Sequence, residues 1–419
     1  MSISKLLGQA NKKYGTEIMS RGSAVSTLPR IPTGSLSLDV ETGGGIPIGR
    51  ITTFSGHYSD GKTSIVLKIV AEFQKHFPEK EVVWIDAEGA WDSNWSRTLG
   101  VDPDRVYLVH PEYSQQAFDI AEQCITADVG LLVIDSIAAL VPKEEAEATM
   151  EDWQVGLAAR INNKFIRRTH SSLNDKRNNA VSPTVILINQ LRENVGAYGG
   201  GETEPGGKGI GFAASVRIKI RRGDLYPKAK SNYDQTVVPK AQQVKFFVEK
   251  NKTAPPQTRG HLWFYFDTLD EYRVKGSYDR LEEVIRYAKK YDIVTQRASM
   301  FDLADPITGE VTSFKGSTAL AEHIRDNEDV RLWIEEAVME KVKAGYDSQE
   351  QSVVRSDTGD DEAEREESSE GPEREEAASE RSDPVGERGH SNGKVPSAAQ
   401  ANNDSEVSLA KNLGLGTAA

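Results

Sequence analysis

The chain has 419 residues, with 51 Lys and Arg against 64 Asp and Glu and a formal net charge of −13. That length exceeds one typical domain and is ample for a buried core, so two folded domains and a tail are expected. The acid is segregated: residues 347–388 hold 16 Asp and Glu against 5 Lys and Arg, which leaves about −2 for everything else, too little to repel a polyanion.

The N-terminus, Met1 to Leu7, lacks the long apolar core and cleavage signature of a secretory signal, and no stretch approaches the length needed to span a bilayer. A cytoplasmic protein without a membrane partner is expected. Residues 3–20 read as a helix with Leu6, Leu7, Ala10, Tyr14 and Ile18 near one face. The turn-rich Gly43–Gly49 segment leads into a strand at 50–55, a glycine loop and a helix at 62–76. Strands at 81–86, 105–109, 131–134 and 184–188 follow, separated by helices at 114–127 and 154–173. Cys124, the single cysteine, lies in the first of these helices; it excludes an intramolecular disulfide, fits a reducing compartment and reads as a buried structural thiol. Apolar strands alternating with helices indicate an α/β fold with a mostly parallel sheet covered on both faces. The stretches 213–222, 243–250 and 261–267 alternate polar and apolar residues and read as antiparallel extensions. Apolar spacing then gives helices near 279–291, 317–325 and 328–343. Residues 347–406 carry too few large apolar side chains to fold and are expected to be disordered, and Val407–Leu415 reads as a frayed terminus or a docking segment.

The loop Gly56-His57-Tyr58-Ser59-Asp60-Gly61-Lys62-Thr63-Ser64 fits the pattern G-x-x-x-x-G-K-S/T, with a strand before it and a helix after. In that setting backbone N–H groups cradle phosphates, Lys62 supplies a cation, and the Thr63 hydroxyl can ligate Mg²⁺, which makes ATP the expected ligand. Asp60 opposes the charge logic of such a cradle unless it turns outward. Asp135 closes the apolar strand 131–134, where a carboxylate of the magnesium shell belongs; alone it would be an ordinary strand-end residue. Glu88, after another strand, is a candidate to orient the attacking water, or else a solvated turn acid. Gln190, at the end of 184–188, is a candidate γ-phosphate sensor or a satisfied buried amide. The glycine-rich stretch Leu191–Gly209 is too long for a plain connector and starts at that sensor. Basic clusters at Arg160, Lys164, Arg167, Arg168 and at Arg217, Lys219, Arg221, Arg222 favour a phosphate backbone over a merely solvated face.

These stretches, together with Pro32–Asp39, Val133–Leu140, Gly156–Arg160, Ile188–Arg192 and Lys250–Pro255 in this order, resemble the bacterial RecA recombinases and their phage-encoded relatives over roughly residues 5–340. The resemblance implies an N-terminal polymerisation arm (1–30), a RecA-like P-loop ATPase core (31–272), a small C-terminal α/β lobe (273–346) and a disordered acidic tail (347–419). It implies a DNA-dependent ATPase that forms a homo-oligomeric helical filament on single-stranded DNA and pairs it with homologous double-stranded DNA, in a bacterial or phage-infected cytoplasm. A single-strand-binding or mediator protein is a further implied partner. Residue by residue, Lys62 and Thr63 serve phosphates and metal, Glu88 the water, Asp135 the metal shell, Gln190 the γ-phosphate, and Asp92 and Trp95 the adenine. Lys250 and Lys252 reach the neighbouring subunit's ATP, and Phe212 lies in the filament interface. The DNA loops are about 147–156 and 194–210, with Arg160, Asn163, Arg167, Arg192, Gly206, Gly207 and Lys208 as contacts. His57 and Tyr58 stand where the family has Pro-Glu, and Asp60 replaces a small residue. A ring-forming helicase-type ATPase and a non-catalytic DNA-binding paralogue are the alternatives, opposed by the Lys250/Lys252 pair and by the intact catalytic groups.

Overall fold

The computed structural model describes residues 2–14, 28–149, 156–176, 181–193, 202–228, 237–305 and 309–356. Eight strands form the main sheet: β1 (Ile51–Gly56), β2 (Val82–Asp86), β3 (Val106–Val109), β4 (Leu131–Asp135), β5 (Thr184–Gln190), β6 (Val216–Tyr226), β7 (Ala241–Asn251) and β8 (Thr258–Tyr265). Their spatial order is β8-β7-β6-β1-β5-β4-β2-β3. From β6 to β3 every neighbouring pair is parallel, and β7 and β8 extend the sheet antiparallel.

Successive side chains of a strand face opposite ways, which sorts the core into two layers. Trp84, Val133, Ile186 and Ile188 point to the face covered by Ile65, Val66, Ile69 and Phe73 of the helix Lys62–His76. Val83, Ile85, Leu132, Ile134, Val185 and Leu187 point to the other, where Phe118 and Phe165 stack with ring centroids 4.1 Å apart. These last two rings come from the helices Ser114–Thr126 and Leu157–Asp175. Cys124 packs against this second layer half-buried, and burial raises its thiol pKa.

Several boundaries differ from the sequence reading. The N-terminal helix spans Ile3–Tyr14, with Ile3, Leu6 and Tyr14 exposed, and residues 15–20 of the expected helix lie outside the described residues. The stretch 213–222 is antiparallel on one side only: its strand pairs antiparallel with β7 but parallel with β1. Lys208–Ala213 is a short helix, and β6, starting at Val216, runs parallel to β1, because alternation marks a two-faced strand without giving its direction.

After β8 a separate core forms. Val284, Tyr287 and Ala288 of the helix Arg280–Lys290 meet Leu320 and Ile324 of Gly316–Asp326, and Ile334, Val338 and Val342 of the last helix. Leu36 and Val40, from the helix Leu36–Thr42 ahead of β1, complete this cluster. Three short strands, Val294–Arg297, Met300–Ala304 and Val311–Lys315, add an antiparallel sheet that helical spacing did not reveal. The last helix continues to Ser356, past the expected end at 343 and into the stretch expected to be disordered. Its composition from 347 to 356 includes neither Gly nor Pro to stop it. Residues 357–419, including Val407–Leu415, lie outside the described residues.

Candidate functional site

Parallel register brings the chemistry to one level. Gly56 pairs with Gln190 and Asp86 with Asp135, so four strands end together at the carboxyl edge of the sheet. Ligands of open α/β sheets gather at this edge. The chain turns from β1 into the helix Lys62–His76 through Gly61, whose φ of +92° suits glycine, and no side chain caps the helix. Its first N–H groups therefore remain available to an anion.

A crevice of about 470 Å³ opens there. Tyr58, Ser59, Gly61, Lys62, Thr63 and Ser64 line it from the loop side, with Glu88, Trp95, Asp135 and Gln190 opposite. Thr63 Oγ1 donates to Asp135 Oδ2 at 2.9 Å. Burial, with Glu88 and Asp86 nearby, pushes the Asp135 carboxyl up to about 7, although the Thr63 bond and Lys62 pull the other way. Glu88 Oε1 accepts from Ser136 Oγ at 2.5 Å and from Gln190 Nε2 at 2.7 Å. Lys62 Nζ donates to the His57 carbonyl at 2.7 Å, and burial lowers its pKa.

Other expected residues stand just outside the crevice. Asp60 is turned away: Oδ2 accepts from His57 N at 2.7 Å and Oδ1 from Arg222 N of β6 at 3.1 Å. Gly56 leaves room for this, since a Cβ there would meet Ile220 O at 2.7 Å and Asp60 Oδ2 at 3.1 Å. The His57 ring points to Glu202. Asp92 caps the short helix Ser93–Thr98, accepting from Trp95 N at 2.6 Å, so Trp95 lines the crevice and Asp92 does not. Lys250 Nζ donates to Gly211 O at 2.8 Å and Phe212 O at 2.9 Å, and Lys252 Nζ to Phe212 O at 3.4 Å. Both lysines are thus away from this chain's own crevice, beside Phe212, which is 75% exposed.

Sequence reasoning missed Phe264, Phe266, Gln242 and Val244, which close the crevice from β7, β8 and the residue just after β8. Trp95 meets Phe264 edge-on at 6.2 Å. The stretch 261–267 reads in sequence only as an alternating strand, and the pairing of β8 is what shows which of its aromatics face the loop. Asp86 is also a structural group, accepting from Ala90 N at 3.1 Å and Trp91 N at 3.0 Å.

Three of the DNA candidates gather on the second face. Arg160, Asn163 and Arg167 line a cleft of about 830 Å³ with Lys164, His170 and Gly209. Gly206 and Gly207 precede the helix that Lys208 begins, and Asn189 Nδ2 holds Pro205 O at 3.0 Å beside them. Arg192 is exposed and pairs in register with Thr203. Loop residues 150–155 and 194–201 lie outside the described residues. Four cations of the basic clusters are held by acids: Arg168 by Glu122, Arg217 by Glu204 and Glu249, Lys219 by Glu249 and Arg221 by Glu202.

A family model described as the RecA N-terminal domain matches residues 1–268. Among curated relatives, Protein RecA of Aquifex aeolicus is 38% identical over 284 residues, 67% of this chain and 76% of the relative. Protein RecA of Thermotoga petrophila is 33% identical over 368 residues, covering 86% and 97%. Protein RecA of Petrotoga mobilis is 31% identical over 345 residues, covering 81% and 88%. With the glycine loop, the level carboxyl ends of the strands and matches that cover 76–97% of these relatives, the chain belongs to the RecA family.

Proposed function

We infer that this protein is an ATP-dependent DNA recombinase, which forms a filament on single-stranded DNA and pairs that strand with homologous duplex. The observation that carries the reading is the bond from Gln190 to Glu88. It ties the strand that enters the second DNA loop to the acid best placed to handle water, so events in the crevice reach the loop without an intermediary.

Lys62 and the open helix N-terminus hold the triphosphate, and the lysine exchanges the His57 carbonyl for phosphate oxygen when substrate arrives. Thr63 and Asp135 are a hard-oxygen donor pair that fits Mg²⁺, a cation that takes a few protein oxygens and fills its shell with water and phosphate. When bound, Mg²⁺ neutralises phosphate charge. Glu88, held by Ser136 and Gln190, orients the water and accepts its proton. Trp95 offers the adenine a stacking face, with Phe264 and Phe266 beside it. Lys250 and Lys252 serve a neighbouring subunit's substrate, which agrees with their distance from this chain's own crevice and makes hydrolysis depend on assembly. Arg160, Asn163, Arg167, Arg192, Gly206, Gly207 and Lys208 contact DNA, chiefly its phosphates, so binding is salt-sensitive and largely indifferent to sequence. The setting is the cytoplasm, with a single-strand-binding or mediator protein as a further partner; among the described residues no helix is long and apolar enough to cross a membrane.

ATP hydrolysis measured with and without single-stranded DNA tests the reading. Strong stimulation by the DNA is expected, and its absence would leave a nucleotide-binding protein without the recombinase role.

A further inference from the structure

The second loop returns to the sheet through Glu202–Thr203, and this returning limb is fastened by charge. Glu204 meets Arg217 at 2.9 Å, while Glu249 holds Arg217 at 2.9 Å and Lys219 at 2.7 Å. Arg217, Lys219 and Arg221 alternate along β6 and so share one face of it. Glu202 is paired with Arg221, and the same oxygen lies 3.0 Å from Nε2 of His57.

His57 directly follows Gly56, so this last contact joins the glycine loop to the returning limb. The Arg221 guanidinium holds the Glu202 carboxyl below its usual range. An ionised carboxylate only accepts, so the His57 Nε2 carries a proton and donates. The same residue is gripped on its carbonyl by Lys62 at 2.7 Å. A phosphate group competes for that lysine, and drawing the lysine off frees the His57 carbonyl, so that the residue pivots on its N–H, which Asp60 holds at 2.7 Å, and the ring's hold on Glu202 shifts.

We propose that His57 is a positioning residue that couples the occupancy of the glycine loop to the second DNA loop through Glu202, along a route separate from Glu88 and Gln190. The proposal rests on the recombinase reading of that loop.

Its test is the dissociation constant of the full-length protein for a labelled single-stranded oligonucleotide, taken by fluorescence anisotropy with a non-hydrolysable ATP analogue and again without nucleotide. Wild type is compared with H57A, H57Q, E202A and the double variant H57A/E202A. The ratio of the two constants reads coupling alone. H57A and E202A are expected to shrink that ratio about fivefold, the low end for coupled sites. The double variant shrinks it no further, and H57Q, which keeps an N–H donor, retains most of it. An unchanged ratio in either single variant, losses that multiply in the double variant, or H57Q as impaired as H57A each overturn the proposal. Affinity lost equally in both nucleotide states shows a structural role alone and also overturns it. A wild-type ratio of one removes the recombinase reading itself, and the coupling with it.

Discussion

Asp135 in the crevice and Glu283 under the C-terminal lobe are both buried carboxyls pushed up to about 7, with burial the larger cause at each. Their partners differ. Glu283 accepts from Ser35 Oγ at 2.6 Å and Leu36 N at 2.9 Å, with Arg280 and Arg286 close enough to favour its charge. Asp135 accepts from Thr63 Oγ1, and among the described residues no second donor reaches its carboxylate, while Glu88 and Asp86 oppose its charge. The same burial therefore has two meanings. A carboxylate with donors and cations around it fastens two elements together, and one left short of them among like charges is held ready for a cation.

The sharpest way to break the comparison is D135N, which removes the charge and keeps the shape. DNA-stimulated hydrolysis should fall by about 10²–10³-fold, the usual loss when one charge-stabilising group goes. The nucleotide-free protein should at the same time melt higher near neutral pH, because an uncompensated buried charge has gone. An ATPase assay and a thermal melt check both halves, and a lower melting temperature would contradict the assignment.

At the other carboxyl, E283A should cost about 2–4 kcal/mol of stability, since it orphans two buried donors and opens a cavity. Denaturant unfolding measures it. A variant as stable as wild type would remove Glu283 as a fastening.

The pH dependence sharpens the pair. Asp135 rises from 3.8 and Glu283 from 4.5, each to about 7, and Asp39 from 3.8 to about 6. For such raised groups the stabilisation is complete below the ordinary carboxylate range and is lost as pH climbs through the folded value. The nucleotide-free protein should therefore lose melting temperature between about pH 4 and pH 7 through these groups. The advantage of D135N should vanish as pH falls across the same interval. Added Mg²⁺ and ATP should restore wild type at the upper end and restore D135N much less.

The smallest expected effect is at Asp60. Its carboxylate accepts from two loop and strand amides rather than facing phosphate, so D60S should weaken ATP binding roughly threefold, about one hydrogen bond. Nucleotide titration decides, and tighter binding would mean that the carboxylate does face the phosphates.

The glycine loop, Asp135, Glu88 and Gln190 were legible in the sequence because each closes or follows an apolar strand, and parallel register brings such ends together. The direction of β6 was not legible, since polar and apolar alternation is identical in parallel and antiparallel neighbours. Nor was the pairing of Arg217, Lys219 and Arg221 with acids, because Glu202, Glu204 and Glu249 approach them only once the second loop folds back and β7 pairs with β6. Phe264 and Phe266 were hidden for a similar reason: a buried aromatic and a crevice aromatic look alike until the sheet has faces. Glu283 carries no sequence signal of its burial, because its partners Ser35 and Leu36 lie at the far end of the chain's folded part.

The acid at position 60 is caught by main-chain amides, one of them from residue 222, and not by any particular side chain. A descendant or ancestor could gain or lose that acid in one mutational step, with no compensating change at 222. The constraint falls instead on Gly56, whose missing Cβ leaves the space the carboxylate occupies. Drift in this loop should therefore cost little at the residue that looks most disruptive and much more at the one that looks most ordinary.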